Sequence, residues 1–75
     1  MTSEAEKLQA LRTRTTSGEA RKIREAAHLS LSDIARSVGA HYSTVSRWES
    51  GGRLPRGEAA LRYAALLERL AKAAV

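Results

Sequence analysis

The chain of 75 residues has no cysteine. That excludes a disulfide, a thiolate zinc site and a thiol nucleophile, and it fits a reducing cytoplasm. Asparagine is absent as well, in a chain rich in alanine and arginine, as expected of a high-GC bacterium or its phage. No long apolar run occurs. The longest, Tyr63 to Leu67, is far short of the roughly 20 residues of a membrane span, so no membrane partner is expected. The polar, acidic start argues against a secretory signal. There is no His–acid constellation and no glycine-rich phosphate loop. His28 and His41 lack a second ligand at helical or turn spacing, so neither a metal nor a cofactor is expected. These absences argue against an enzyme. A chain this short allows one domain with a small core, for which oligomerisation would be a natural supplement. It leaves no room for a separate ligand domain, so no small-molecule ligand is expected.

What is present is positive charge, and its placement matters more than its total of +5. Arg12, Arg14, Arg21, Lys22, Arg24, Arg36, Arg47, Arg53 and Arg56 fall in the middle of the chain. Only Glu19, Glu25, Asp33 and Glu49 oppose them there, and the flanks are balanced. A polyanion partner for the central region follows naturally. A merely soluble basic surface is the alternative, and the centring of the charge on one motif speaks against it.

That motif is Leu29 to Gly51, LSLSDIARSVGAHYSTVSRWESG. Ser30 is placed to cap a helix, with Asp33 at the third helical position. Leu31, Ile34, Ala35 and Val38 then fall at i, i+3, i+4 and i+7, one helical face. Gly39 suits a left-handed residue after that helix and makes the turn. A second helix is expected over Tyr42 to Ser50, with Val45 and Trp48 on one side. Tyr42, Ser43, Ser46, Arg47 and Ser50 cover much of the other, which carries no acid. Two short helices joined by a tight glycine turn are the helix-turn-helix shape, whose second helix enters the DNA major groove.

LSLSDIARSVGAHYSTVSRWESGGRLP resembles the phage-repressor and Cro-like helix-turn-helix family, also called the xenobiotic response element family. Leu29, Ser30, Ile34, Ala35, Val38, Gly39, Ser43, Thr44, Val45, Ser46, Trp48, Glu49, Gly51 and the exit Leu54-Pro55 carry the likeness. It covers about Ala20 to Pro55. The sequence departs from the family at Ala40-His41-Tyr42, where a branched apolar residue and then a small polar cap are usual. The resemblance implies an all-α, lambda-repressor-like bundle of four to five helices with a long C-terminal helix. It also implies a structural ion pair between Arg24 and Glu49, tying the first family helix to the end of the recognition helix.

The remaining segments are read around this unit. Ser3 and Glu6 make a capping box, with Ala5, Leu8 and Leu11 on one stripe, so a short helix is expected from Ser3 to Arg12. RTRTTS, Arg12 to Ser17, reads as a linker or a basic arm, with Thr16 and Glu19 capping the next helix. That divides the chain into 1–16, a short helix and arm, and 17–75, the helix-turn-helix domain. The helix after Thr16 runs to about Ala27, with Ala20, Ile23 and Ala27 inward. Pro55 blocks helix continuation from Gly51-Gly52. The last helix is expected from Arg56 or Gly57 to Ala74, with Glu58–Arg62 and Glu68–Lys72 as i,i+4 pairs. Its apolar residues exceed one stripe, which suits the domain core, the N-terminal helix or a partner.

The expected function is sequence-specific binding of double-stranded DNA by a cytoplasmic transcription regulator. It would form a homodimer through the C-terminal helix, with the N-terminal helix as a second candidate surface. Tyr42, Ser43, Ser46 and Arg47 are the candidate base readers, Arg47 toward guanine. Arg14, Ser30, Ser32, His41, Thr44, Ser50 and Arg53 are the candidate phosphate contacts. The alternatives are an antitoxin-like protein-interaction module and a DNA-binding cofactor of phage recombination.

Overall fold

A computed structural model describes residues 3–73. Among them are five helices and no strand: α1 (Glu4–Ser17), α2 (Glu19–Ala26), α3 (Leu31–Val38), α4 (Tyr42–Ser50) and α5 (Glu58–Ala73). The all-α class and the long C-terminal helix are as the sequence implies.

The N-terminal part differs from its expectation. The Ser3–Glu6 capping box forms, with Glu6 N donating to Ser3 Oγ at 3.2 Å and Ser3 N donating to the Glu6 carboxylate at 3.0 Å. The helix does not stop at Arg12. It continues through RTRTTS to Ser17, so the expected arm is helical and the division near residue 16 falls inside α1. Two effects account for this. Thr13 Oγ1 donates to Gln9 O and Thr15 Oγ1 to Arg12 O, so these hydroxyls satisfy the preceding turn rather than unwinding it. Leu11 and Thr15, four residues apart, are both buried, and Leu8 packs beside them. Docking therefore supplies what α1 lacks in intrinsic stability.

Gly18 is the break between α1 and α2. Its φ of 86° is left-handed, which ends one helix and starts the next without an intervening loop. Thr16 is exposed and does not cap α2. The neighbouring Ser17 Oγ accepts from Glu19 N instead. Helix α2 ends one residue early, at Ala26, and His28 takes a left-handed φ of 57° in the connection to α3.

The core draws on every helix: Leu11, Ala20, Ile34, Ala35, Val38, Val45, Trp48, Ala60, Tyr63 and Leu67. Helix α5 is its backbone, packing against α1, α2 and α3. Ala60, Tyr63 and Leu67, at i, i+3 and i+7, form its buried face. Tyr63 stacks on Trp48 with ring centroids 5.7 Å apart. At about 1.5–3 kcal/mol per large buried side chain, this aromatic pair is a major part of so small a core. Part of the apolar excess of α5 is taken up by α1, while Ala65 remains exposed. Helix α5 starts at Glu58, after a left-handed Gly57, and the expected end at Ala74 lies outside the described residues.

Candidate nucleic-acid interface

Helix α3 starts where Ser30 caps it. Asp33 N donates to Ser30 Oγ at 3.0 Å, and Ser30 N donates to the Asp33 carboxylate at 2.9 Å. These bonds, the backbone one foremost, hold the Asp33 carboxyl below its ordinary value. Ile34, Ala35 and Val38 face the core and leave Ser32 exposed. Gly39 closes the helix at φ 75° and makes the turn. A β-carbon there would make only an ordinary contact, 3.4 Å from Arg62 Nη2, so it is the left-handed backbone that calls for glycine.

Arg62 is the residue that sequence reasoning missed. Its spacing suggests only a surface pair with Glu58, and that pair is long, at 3.8 Å, and exposed. Its Nε instead donates to Val38 O at 3.0 Å, so α5 satisfies a free carbonyl at the end of α3. Nothing local marks this contact, which joins residues 24 apart.

Helix α4 covers the expected span. His41 occupies the cap position where the family has a small polar residue. Its Nδ1 lies 3.2 Å from Ser43 N, which donates to it, and 2.8 Å from Ser43 Oγ. Imidazole thus does the work of the usual cap, and Ser43 is tied to the start of the helix. Val45 and Trp48 are buried. Tyr42, Arg47 and Ser50 are exposed, and Ser43, Thr44 and Ser46 are half-buried. Ser50 Oγ donates to Arg47 O. Gly51 closes α4 at φ 81°, and Arg53 N donates back to Arg47 O at 3.2 Å, which holds the exposed Arg53 beside the last turn.

The rear of α4 is fixed by Glu49. Arg24 Nε and Nη2 donate to its two carboxylate oxygens at 2.7 and 2.8 Å, a bidentate pair. Arg24 Nη1 also donates to Leu29 O at 2.9 Å. One guanidinium therefore joins α2, the connection into α3 and the end of α4. The two side chains are 13% and 8% exposed, so the pair is largely removed from water. The hydrogen bond to Glu49 raises the Arg24 pKa against the opposing effect of burial. The Tyr63 hydroxyl lies in the field of this pair. It is buried without a hydrogen-bond partner among the described residues, and burial pushes its pKa well up.

The charges of the front face are distributed differently. Arg24, Arg14, Arg21, Arg36, Arg62 and Lys72 each have a carboxylate partner, whereas Arg47 and Arg53, like Lys7, Arg12, Lys22, Arg56 and Arg69, have none among the described residues. Arg14 is not on a free arm. It sits in α1, paired with Glu19 at 2.7 Å, and lines the groove between α1 and α5. The arrangement offers one helix with a hydroxyl-rich outer face and an uncompensated arginine, flanked by a second uncompensated arginine. Donors of this kind suit the edges and phosphates of a nucleic acid duplex.

No helix among the described residues is long and apolar enough to cross a membrane. The model of a family described as helix-turn-helix matches residues 21–72. No curated protein and no solved structure matches the chain.

Proposed function

Because the chain belongs to the phage-repressor and Cro-like helix-turn-helix family of DNA-binding transcription regulators, we propose that it is an operator-binding repressor that acts as a dimer and places α4 in the major groove. The carrying observation is Arg47: exposed, without a carboxylate partner among the described residues, on the face of α4 opposite Val45 and Trp48. In this reading Arg47 donates to a guanine, and Tyr42, Ser43 and Ser46 complete the base contacts. Ser30 and Ser32 at the start of α3, His41 and Thr44 at the start of α4, and Ser50 and Arg53 after it meet the phosphates. Two copies related by a two-fold axis would read half-sites about 34 Å apart. Binding would block transcription by occupying the site.

Selection of binding sites from random duplex DNA tests the reading, and a palindrome is the expected product. On that site, Arg47→Ala should weaken binding by about 1–3 kcal/mol and change affinity for random DNA far less. Equal losses on both would remove Arg47 from base reading. Recovery of no preferred sequence would remove the operator altogether.

The groove between α1 and α5, about 420 Å³ and lined by Leu11, Leu61, Ala64 and Ala65 among charged residues, favours a second reading. There the chain is an antitoxin-like module that binds a protein partner. A stoichiometric partner bound in place of a second copy of this chain would support it, and a stable homodimer of the purified chain would count against it.

A further inference from the structure

Three arginines meet where α1 crosses the exit from α4. Arg12, Arg53 and Arg56 line a cleft of about 280 Å³ together with Leu54. Arg12 Nε donates to Pro55 O at 3.0 Å, a contact between residues 43 apart, so its guanidinium is held at the cleft. None of the three has a carboxylate partner among the described residues, and no acid lines the cleft. Three like charges around one small space repel one another unless an anion joins them. Arg14, two residues from Arg12, is by contrast paired with Glu19.

The location says which anion. Arg53 N donates to Arg47 O, so the cleft directly follows the last turn of the helix that carries Arg47. A duplex seated on α4 would run its backbone past this end. Leu54, 58% exposed, adds an apolar surface to the lining of the cleft. Arg12 comes from α1, which lies outside the matched segment 21–72.

We propose that α1 delivers Arg12 to complete a phosphodiester-binding cleft with Arg53 and Arg56, lengthening the backbone contact beyond that of the helix-turn-helix segment itself. The proposal rests on the DNA-binding reading, but its test is separable from it. The number of phosphates neutralised sets how steeply affinity falls with salt. Arg12→Gln should lower the magnitude of the slope of log K against log salt by about 1, with the same loss on operator and random duplex. Arg12→Lys should restore the slope, because it retains the charge. Arg69→Gln, the same charge change on an exposed part of α5, should leave the slope unaltered. If Arg12 only braces the loop through Pro55, Arg12→Gln lowers the melting temperature and leaves the slope as it was, which overturns the proposal.

A second measurement needs no DNA. Inorganic phosphate titrated into the full chain should shift the arginine Nε–H resonances of Arg12, Arg53 and Arg56 together. Shifts without any duplex binding would keep an anion site and remove the DNA reading. Duplex binding with an unchanged slope and no phosphate shifts would do the reverse.

Discussion

Arg24 and Glu49 bear the strongest single constraint on the recognition unit. Both are largely buried, so the pair's worth lies less in net attraction than in the cost of separating it. Breaking such a pair by removing one partner leaves an uncompensated charge away from water. Glu49→Gln is expected to lower stability by about 3 kcal/mol in denaturant unfolding, while an exposed pair such as Arg21–Glu25 would cost under about 1 kcal/mol. A loss for Glu49→Gln no larger than that of the exposed pair would show that Arg24 reaches water when unpaired. Tyr63 is the opposite case. Its ring stacks on Trp48, yet its hydroxyl finds no partner among the described residues. The ring is retained for packing, and the oxygen is a cost.

At the scale of the element, two helices begin with a reciprocal cap closed by a carboxylate. Glu6 and Asp33 both titrate below their ordinary values of 4.5 and 3.8, chiefly through the backbone bonds from Ser3 and Ser30. The folded state therefore releases these protons more readily than the unfolded chain. Their contribution is present above the unfolded values and is lost as pH falls through the lower, folded ones. Melting temperature should therefore fall as pH drops below the unfolded values of 4.5 and 3.8. Asp33→Asn keeps an acceptor for Ser30 N but cannot titrate, so its acid limb should be shallower than that of the parent. An unchanged limb would place acid sensitivity elsewhere.

The same scale shows what could be read in advance. Helices α3 and α4, their glycine turn and the inward Val45 and Trp48 were legible because their signals are local: a cap, a period and a left-handed residue. The continuation of α1 was not. Arg12 to Ser17 is polar and threonine-rich, and it is helical because Leu11 and Thr15 dock on the body. The positions of Arg12 and Arg62 were hidden for a related reason. Each donates to a backbone carbonyl far along the chain, and a carbonyl carries no residue-type signature. The Arg24–Glu49 pair is also distant in sequence, and only the family resemblance made it legible.

For the whole molecule the open surface is that of α5 beside α1, where Ala65 is exposed among Leu61, Ala64 and Glu68. If two copies pair there, sedimentation should report a dimer at micromolar concentration. Ala65→Lys should then give a monomer whose affinity for a palindromic site falls while its melting temperature at low concentration is retained. A parent chain that stays monomeric on a single, unrepeated site would sink the dimeric reading. The bond from Arg62 to Val38 gives such pairing a further meaning. It fastens α5 to the end of α3, just before the glycine turn from which α4 departs, so a roll of α5 would pull on that turn. A neighbour that reoriented α5 would also re-aim the reading helix, and DNA held at a fixed angle would resist the roll. Assembly and DNA occupancy would then act as linked equilibria, each altering the other by the same factor.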